Sequence, residues 1–132
     1  MTNSFFASLS VKLEPLPDGR RWMLLEPFWF HLMMKGISCK ITVSAGFITD
    51  FASVPRPFWN LIPPWGKHGK AAILHDWLYY KPDGRTRAFC DRILLEALHA
   101  LGVRWLRRRI MYRAVRLCGW AAWRKHRRLQ GP

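Results

Sequence analysis

The chain has 132 residues, enough for one hydrophobic core and too few for two independent ones. Half of the residues are hydrophobic and eight are tryptophan, which argues against disorder; three scattered cysteines with no C-x-x-C pair argue against a disulfide framework or a zinc cluster. The net charge of +14 is lopsided: beyond Glu96, Arg104, Arg107, Arg108, Arg109, Arg113, Arg116, Arg124, Lys125, Arg127 and Arg128 meet no acidic residue, so the C-terminal third calls for an acidic counterpart.

The first half reads as strands. Ser8 to Leu16 alternates, with Leu9, Val11 and Leu13 on one side, and Pro17-Asp18-Gly19 signals a turn. Trp22 to Leu32 is a long apolar run broken at Glu26-Pro27, so it forms an edge or bulged strand or two short ones. Lys35-Gly36 turns the chain into Ile37 to Ala45, rich in β-branched residues, and a small antiparallel meander is expected. Gly46 to Gly69 mixes prolines and glycines with Phe47, Phe51, Phe58, Trp59 and Trp65; a connection this long and aromatic is expected to pack down and to carry function.

Three helices follow. The first is expected from about His68 to Tyr80, stopping at Lys81-Pro82-Asp83-Gly84. The second runs from Thr86, an N-cap, to Leu101 with Gly102 as its C-cap. The third begins near Val103 and extends as far as Lys125. The fold class is therefore α+β in a single domain 1–132: strands over 1–45, the aromatic loop over 46–69, a helix pair over 70–102, and a basic amphipathic helix and tail over 103–132.

The chemistry concentrates in Ala71-Ala72-Ile73-Leu74-His75-Asp76-Trp77-Leu78-Tyr79-Tyr80. At roughly 100° per residue, Ala72, His75, Asp76 and Tyr79 share one face of the first helix. On the second helix Asp91 lies on the same face as Leu94, Leu95 and Leu98, which must pack inward. Helices joined by a short turn are antiparallel neighbours, so His75 and Asp91 are expected to meet. A carboxylate behind an imidazole fixes its tautomer and supports it as a general base. Asp76, and Asp50 at the mouth of the aromatic loop, are candidates for a hard divalent cation such as calcium. The competing reading is a satisfied internal network of His75, Tyr79, Asp91 and Asp50. Ser53 as a nucleophile lacks a nucleophile-elbow pattern, and His31, His68, His99 and His126 lack the spacing of an HD-type phosphohydrolase.

Two resemblances attach to these residues. Gly46, Phe47, Thr49, Asp50, Ser53 and Pro55, then Ala71, Ala72, His75, Asp76, Leu78 and Tyr79, then Asp91, resemble the pattern of a family of phage and prophage proteins of unassigned function. That resemblance implies a phage or prophage origin, hence synthesis in a host cytoplasm with virion association as one outcome, but no settled activity. Separately, Met1-Thr2-Asn3-Ser4 opens no basic and then apolar leader and no window reaches the ~18–20 apolar residues of a spanning helix, so neither a signal peptide nor a transmembrane segment is expected. More distantly, His75-Asp76-x-x-Tyr79 with Cys90-Asp91-x-x-Leu94-Leu95 is similar to the paired active-site helices of phospholipase A2. This likeness implies that His75 is the base for a water attacking an ester, Asp76 a calcium ligand, and Tyr79 and Asp91 its support. The glycine-rich calcium loop of that family is absent; Pro55-Arg56-Pro57-Phe58-Trp59 stands at about that distance.

On the third helix, Val103, Ile110, Ala114, Leu117, Cys118 and Ala121 are expected to form the inward stripe. Trp105, Arg109, Tyr112, Arg113, Arg116, Trp120 and Trp123 gather on another side, suited to an anionic membrane or an acidic viral protein. Nucleic acid is the less favoured partner, because no reader motif accompanies the charge. The bland alternative is that these aromatics pack on the same chain or on a neighbouring subunit of a homo-oligomer, with the arginines solvated. Gly119 is expected to mark a bend or a close approach. Two functional classes result: a hydrolase of lipid esters, or a non-catalytic virion or assembly component that docks through the basic aromatic helix.

Overall fold

The computed structural model describes residues 4–7, 11–34, 37–49, 67–81 and 84–129. The chain forms two compact units, Met1–Asp50 and Phe51–Pro132. The architecture is α+β: antiparallel strands in the first unit, helices in the second.

The N-terminal unit holds β1 (Ser4–Ala7), β2 (Leu13–Pro15), β3 (Trp22–Leu24), β4 (Phe28–Met34), β5 (Ile37–Val43) and β6 (Ile48–Thr49). They make two three-stranded antiparallel sheets, ordered β1-β4-β5 and β2-β3-β6. The break at Glu26-Pro27 divides the long apolar run into β3 and β4, which belong to different sheets. Pro15, which cannot donate to a ladder, sits on the edge strand β2. The period of two is plain in the central hairpin. Phe28, Phe30 and Leu32 of β4 are buried and face Val43, Ile41 and Cys39 of β5 in register, while Trp29, Lys40 and Thr42 are exposed. The Phe28 and Phe30 rings meet edge to face at 5.0 Å. The turn expected at Pro17-Asp18-Gly19 is fixed by Asp18 Oδ1, which accepts from the backbone N–H groups of Arg20 and Arg21. Those bonds, with the Arg21 guanidinium, hold the Asp18 carboxyl well below the usual carboxylate range.

Most of the expected aromatic loop, together with Asp50 and Ser53, lies outside the described residues. Its two ends are regular structure: Ile48–Thr49 forms β6, and Lys67–Gly69 is already helical.

The second unit contains α1 (Lys67–Tyr80), α2 (Arg87–Ala100), α3 (Trp105–Cys118) and α4 (Trp120–Leu129). From Ala71 to Tyr79 every residue of α1 is buried, as expected for a helix that is apolar nearly all round. Helix α1 packs on α2 and α4, and α2 packs on α3. Thr86 caps α2, its Oγ1 accepting from the Phe89 N–H. At the other end Gly102, at φ 82°, closes a Schellman turn: its N–H reaches the His99 carbonyl and the Val103 N–H reaches that of Leu98.

The single long third helix is corrected to two. Gly119 separates α3 from α4, and α4 continues to Leu129. The expected inward stripe is corrected as well. Val103 and Ala114 of that stripe are buried and Ile110 is half-buried, and Met111 and Val115 join them, whereas Leu117 is 75% exposed and Cys118 and Ala121 are exposed too. The helix is turned about its axis because that orientation brings Arg116 to a buried carboxylate.

Gly102→Ala should lower stability by about 1–2 kcal/mol, since an alanine must enter the left-handed region to keep the turn. Denaturant melts of the two proteins measure the difference.

Candidate functional site

The centre is built on Asp91, which is fully buried on α2. Its Oδ1 accepts from His75 Nε2 at 2.6 Å and from the Tyr79 hydroxyl at 2.6 Å. Its Oδ2 accepts from Arg116 Nη1 at 2.8 Å, with Arg87 Nη1 at 3.4 Å. A carboxylate offers roughly four lone-pair directions, and here both oxygens are doubly engaged. Burial pushes the Asp91 carboxyl up, but the bonds and charge from His75, Tyr79 and Arg116 outweigh it, so its pKa lies below the ordinary value. Asp91 is therefore an anion in the core. The hydrogen bond to Asp91 raises the pKa of Arg116 in turn. The Tyr79 phenol is pushed up by burial and by the neighbouring anion, and it stays a donor.

The anion decides the state of the histidine. Because Asp91 only accepts, His75 Nε2 carries a proton and donates it; in the neutral ring the lone pair then sits on Nδ1. Nδ1 is fully buried and has no hydrogen-bond partner among the described residues. The imidazole is wedged against the Tyr79 ring, one helical turn on, with centroids 4.2 Å apart.

The C-terminal helices close this centre. Gly119 lies so near that a Cβ there would stand 2.7 Å from the Tyr79 hydroxyl and 2.5 Å from the Val115 carbonyl oxygen. Trp123 meets the Tyr79 ring edge to face at 5.2 Å. Arg127 donates to the Tyr79 carbonyl at 2.5 Å and the Lys81 carbonyl at 3.2 Å, capping α1, and lies 4.1 Å from the Trp123 ring centroid. Arg87 anchors α3 through the carbonyls of Val115 and Arg116 at 2.9 and 3.2 Å.

His75, Tyr79 and Asp91 thus come together, and Asp76 is buried on the same helix. Asp50 lies outside the described residues. Of the residues read as an outward basic face, Trp105, Arg109, Arg113 and Trp120 are exposed and Tyr112 is half-buried. Arg116 and Trp123 are corrected: one pairs with Asp91 and the other packs on Tyr79. Sequence reasoning passed over Arg87, Arg127 and the partner of Gly119. Arg87 had a signal, since it stands four residues before Asp91 on one helix face.

Calcium takes six to eight oxygen ligands. Among the described residues no three His, Cys, Asp or Glu side chains gather to hold an ion. Of the two expected carboxylate ligands only Asp76 is among the described residues. Among the described residues no helix is long and apolar enough to cross a membrane.

The family described as "Protein of unknown function (DUF1353)" matches residues 22–115, and the chain belongs to it. The match reaches from β3 through the His75–Asp91 centre to Val115. No curated protein and no solved structure matches the chain.

Removing the anion should be costly. Asp91→Asn should destabilise the protein by about 1.5–3 kcal/mol, because Arg116, His75 and Tyr79 lose a charged acceptor while the partly exposed Arg116 guanidinium can still be hydrated. The sign of the pH dependence follows from the lowered pKa. Asp91 contributes stability above its ordinary pKa, and that contribution is lost as pH falls through the lowered folded value. Acid melts of wild type should therefore steepen below the ordinary carboxylate range, and Asp91→Asn should lack that segment.

Gly119→Ala should cost about 1–3 kcal/mol by overpacking, against the gain of about 1 kcal/mol that alanine brings to an open helix. A double-mutant cycle with Tyr79→Phe, which deletes the obstructing hydroxyl, should recover part of that loss. Additive losses would show that the hydroxyl is not the obstacle.

Proposed function

We propose that this protein is a hydrolase of carboxylic esters, in the manner of a phospholipase A2, with His75 as its general base. The observation that carries the reading is His75 Nδ1, a buried atom without a hydrogen-bond partner among the described residues, on an imidazole whose Nε2 is held by a buried anion. In this reading a water on Nδ1 attacks the ester carbonyl carbon and passes its proton to the ring. Asp91 stabilises the imidazolium that forms and holds the ring in the productive tautomer. Tyr79 and Arg116 keep Asp91 in place. The proton then goes to the alcohol oxygen as the C–O bond breaks, leaving a free acid and an alcohol.

The pairing of His75 and Tyr79 on one helix with Asp91 on its antiparallel neighbour supports the phospholipase-like arrangement over a serine or HD-type mechanism. A phage or prophage origin, implied by the motif pattern from Gly46 to Asp91, belongs to the same proposal.

The test is fatty-acid release from phospholipid vesicles and from a short-chain ester, with and without added calcium. His75→Gln should lower kcat by about a thousandfold, in the middle of the range for general-base catalysis. Asp91→Asn, assayed where it is still folded, should lower kcat with little change in KM, since an amide favours the wrong ring tautomer. Wild-type protein that releases no acid under any of these conditions overturns the proposal and leaves the centre as an internal strut.

A further inference from the structure

The second unit presents a surface that the His75–Asp91 centre does not use. On α3 the buried positions are Met111, Ala114 and Val115. On the other side, at roughly 100° per residue, Leu106, Arg109, Arg113 and Leu117 fall within an arc of about 80°. Leu106 is 62% and Leu117 75% exposed, among the most exposed large apolar side chains described. They stand about 16 Å apart along the helix, at 1.5 Å per residue, with the exposed Arg109 and Arg113 between them. Helix α4 continues the chemistry: Trp120 is 51% exposed, with the Arg124 guanidinium 5.1 Å from its ring centroid. At the start of α3, Trp105 is 59% exposed and carries Arg109 at 6.0 Å.

We propose that this outer face of α3 and α4 is a docking surface for an anionic lipid membrane. The charge fixes the sign of the partner, since neither helix contains an acidic residue. The leucines decide between partners of that sign. The phosphates of a nucleic acid reward arginine and its bases stack on aromatic rings, but two exposed aliphatic side chains gain little there. At a headgroup boundary the same set is complementary throughout: leucines enter the acyl edge, tryptophans lie at headgroup level, and arginines meet the lipid phosphates. Both helices are too short and too charged to span, so the chain lies on the membrane. Arg116 and Trp123 play no part in this surface, because Asp91 and Tyr79 already occupy them.

The docking surface does not depend on the hydrolase reading, since binding is measured without turnover. The full chain is floated with phosphatidylcholine vesicles with and without phosphatidylglycerol, at low and high salt, beside a gel shift with duplex DNA. Binding should require phosphatidylglycerol. Arg109→Gln with Arg113→Gln should weaken it about thirtyfold, at roughly fivefold per charge. Leu106→Ser with Leu117→Ser should weaken it about tenfold or more while leaving any DNA shift unchanged. Each leucine substitution is also made singly, with helix content followed by circular dichroism, so an unfolded pair does not remove the test. No flotation with phosphatidylglycerol, or flotation indifferent to the leucines in folded protein, overturns the proposal. The first outcome leaves a protein or nucleic-acid partner, and the second an electrostatic contact alone.

Discussion

A single buried negative charge organises the helical unit. An isolated carboxylate taken out of water loses several kcal/mol of solvation even after relaxation, and Asp91 is sealed completely. It is tolerated because four donors converge on it: His75 and Tyr79 from α1, Arg87 from its own helix, and Arg116 from α3. Each donor fixes the rotation and axial position of the helix that bears it. Hydrophobic contacts alone would allow α3 to slide or turn at modest cost, because one aliphatic stripe packs nearly as well as its neighbour. The ion pair removes that freedom. The price is visible on the surface, where Leu117 faces water.

The same arrangement sets what the imidazole can do. A carboxylate held only by a histidine and a tyrosine would direct its whole charge at the ring. Here two guanidiniums take part of that charge through Oδ2, so Asp91 acts on His75 first as an orienter and second as a counter-ion. Orientation is the part that general-base chemistry needs most, since the proton-accepting nitrogen must point at one place. In the neutral ring the lone pair on Nδ1 has its direction fixed by the bond on the opposite nitrogen. Tyr79 cannot compete for that role, because burial and the adjacent anion keep its phenol protonated.

The α+β class and the α1–α2 pairing were legible in the sequence because they rest on local rules. Thr86 and Gly102 bracket α2, and two helices joined by a short turn must run antiparallel. Once that is granted, an inward aspartate has to find a donor on the facing helix, and His75 and Tyr79 stand one turn apart on it. The division of the long β-run at Pro27 was equally local. The assignment of β3 and β4 to separate sheets was not, because it is decided by pairings with β1, β2, β5 and β6. Gly119 announced a special position but not its partner, since the Tyr79 hydroxyl is forty residues away in the chain.

The reading of the C-terminal helices misplaced Arg116 and Trp123 for a more instructive reason. Trp120 with Arg124 and Trp123 with Arg127 are the same four-residue pattern, offset by three positions, and both form cation–π pairs. Composition and periodicity treat them alike. One pair is spent inside, where Trp123 packs on Tyr79 and Arg127 caps α1; the other is left at the surface. What separates them is a free α1 carbonyl end and a tyrosine ring within reach, which only the packed helices provide. Arg116 follows the same logic among the arginines of α3: a guanidinium near an unsatisfied buried anion gains far more than one in water, so the fold selects it and turns the others outward. A basic amphipathic helix therefore cannot be divided into inner and outer residues by hydrophobicity alone when the core beside it contains a charge.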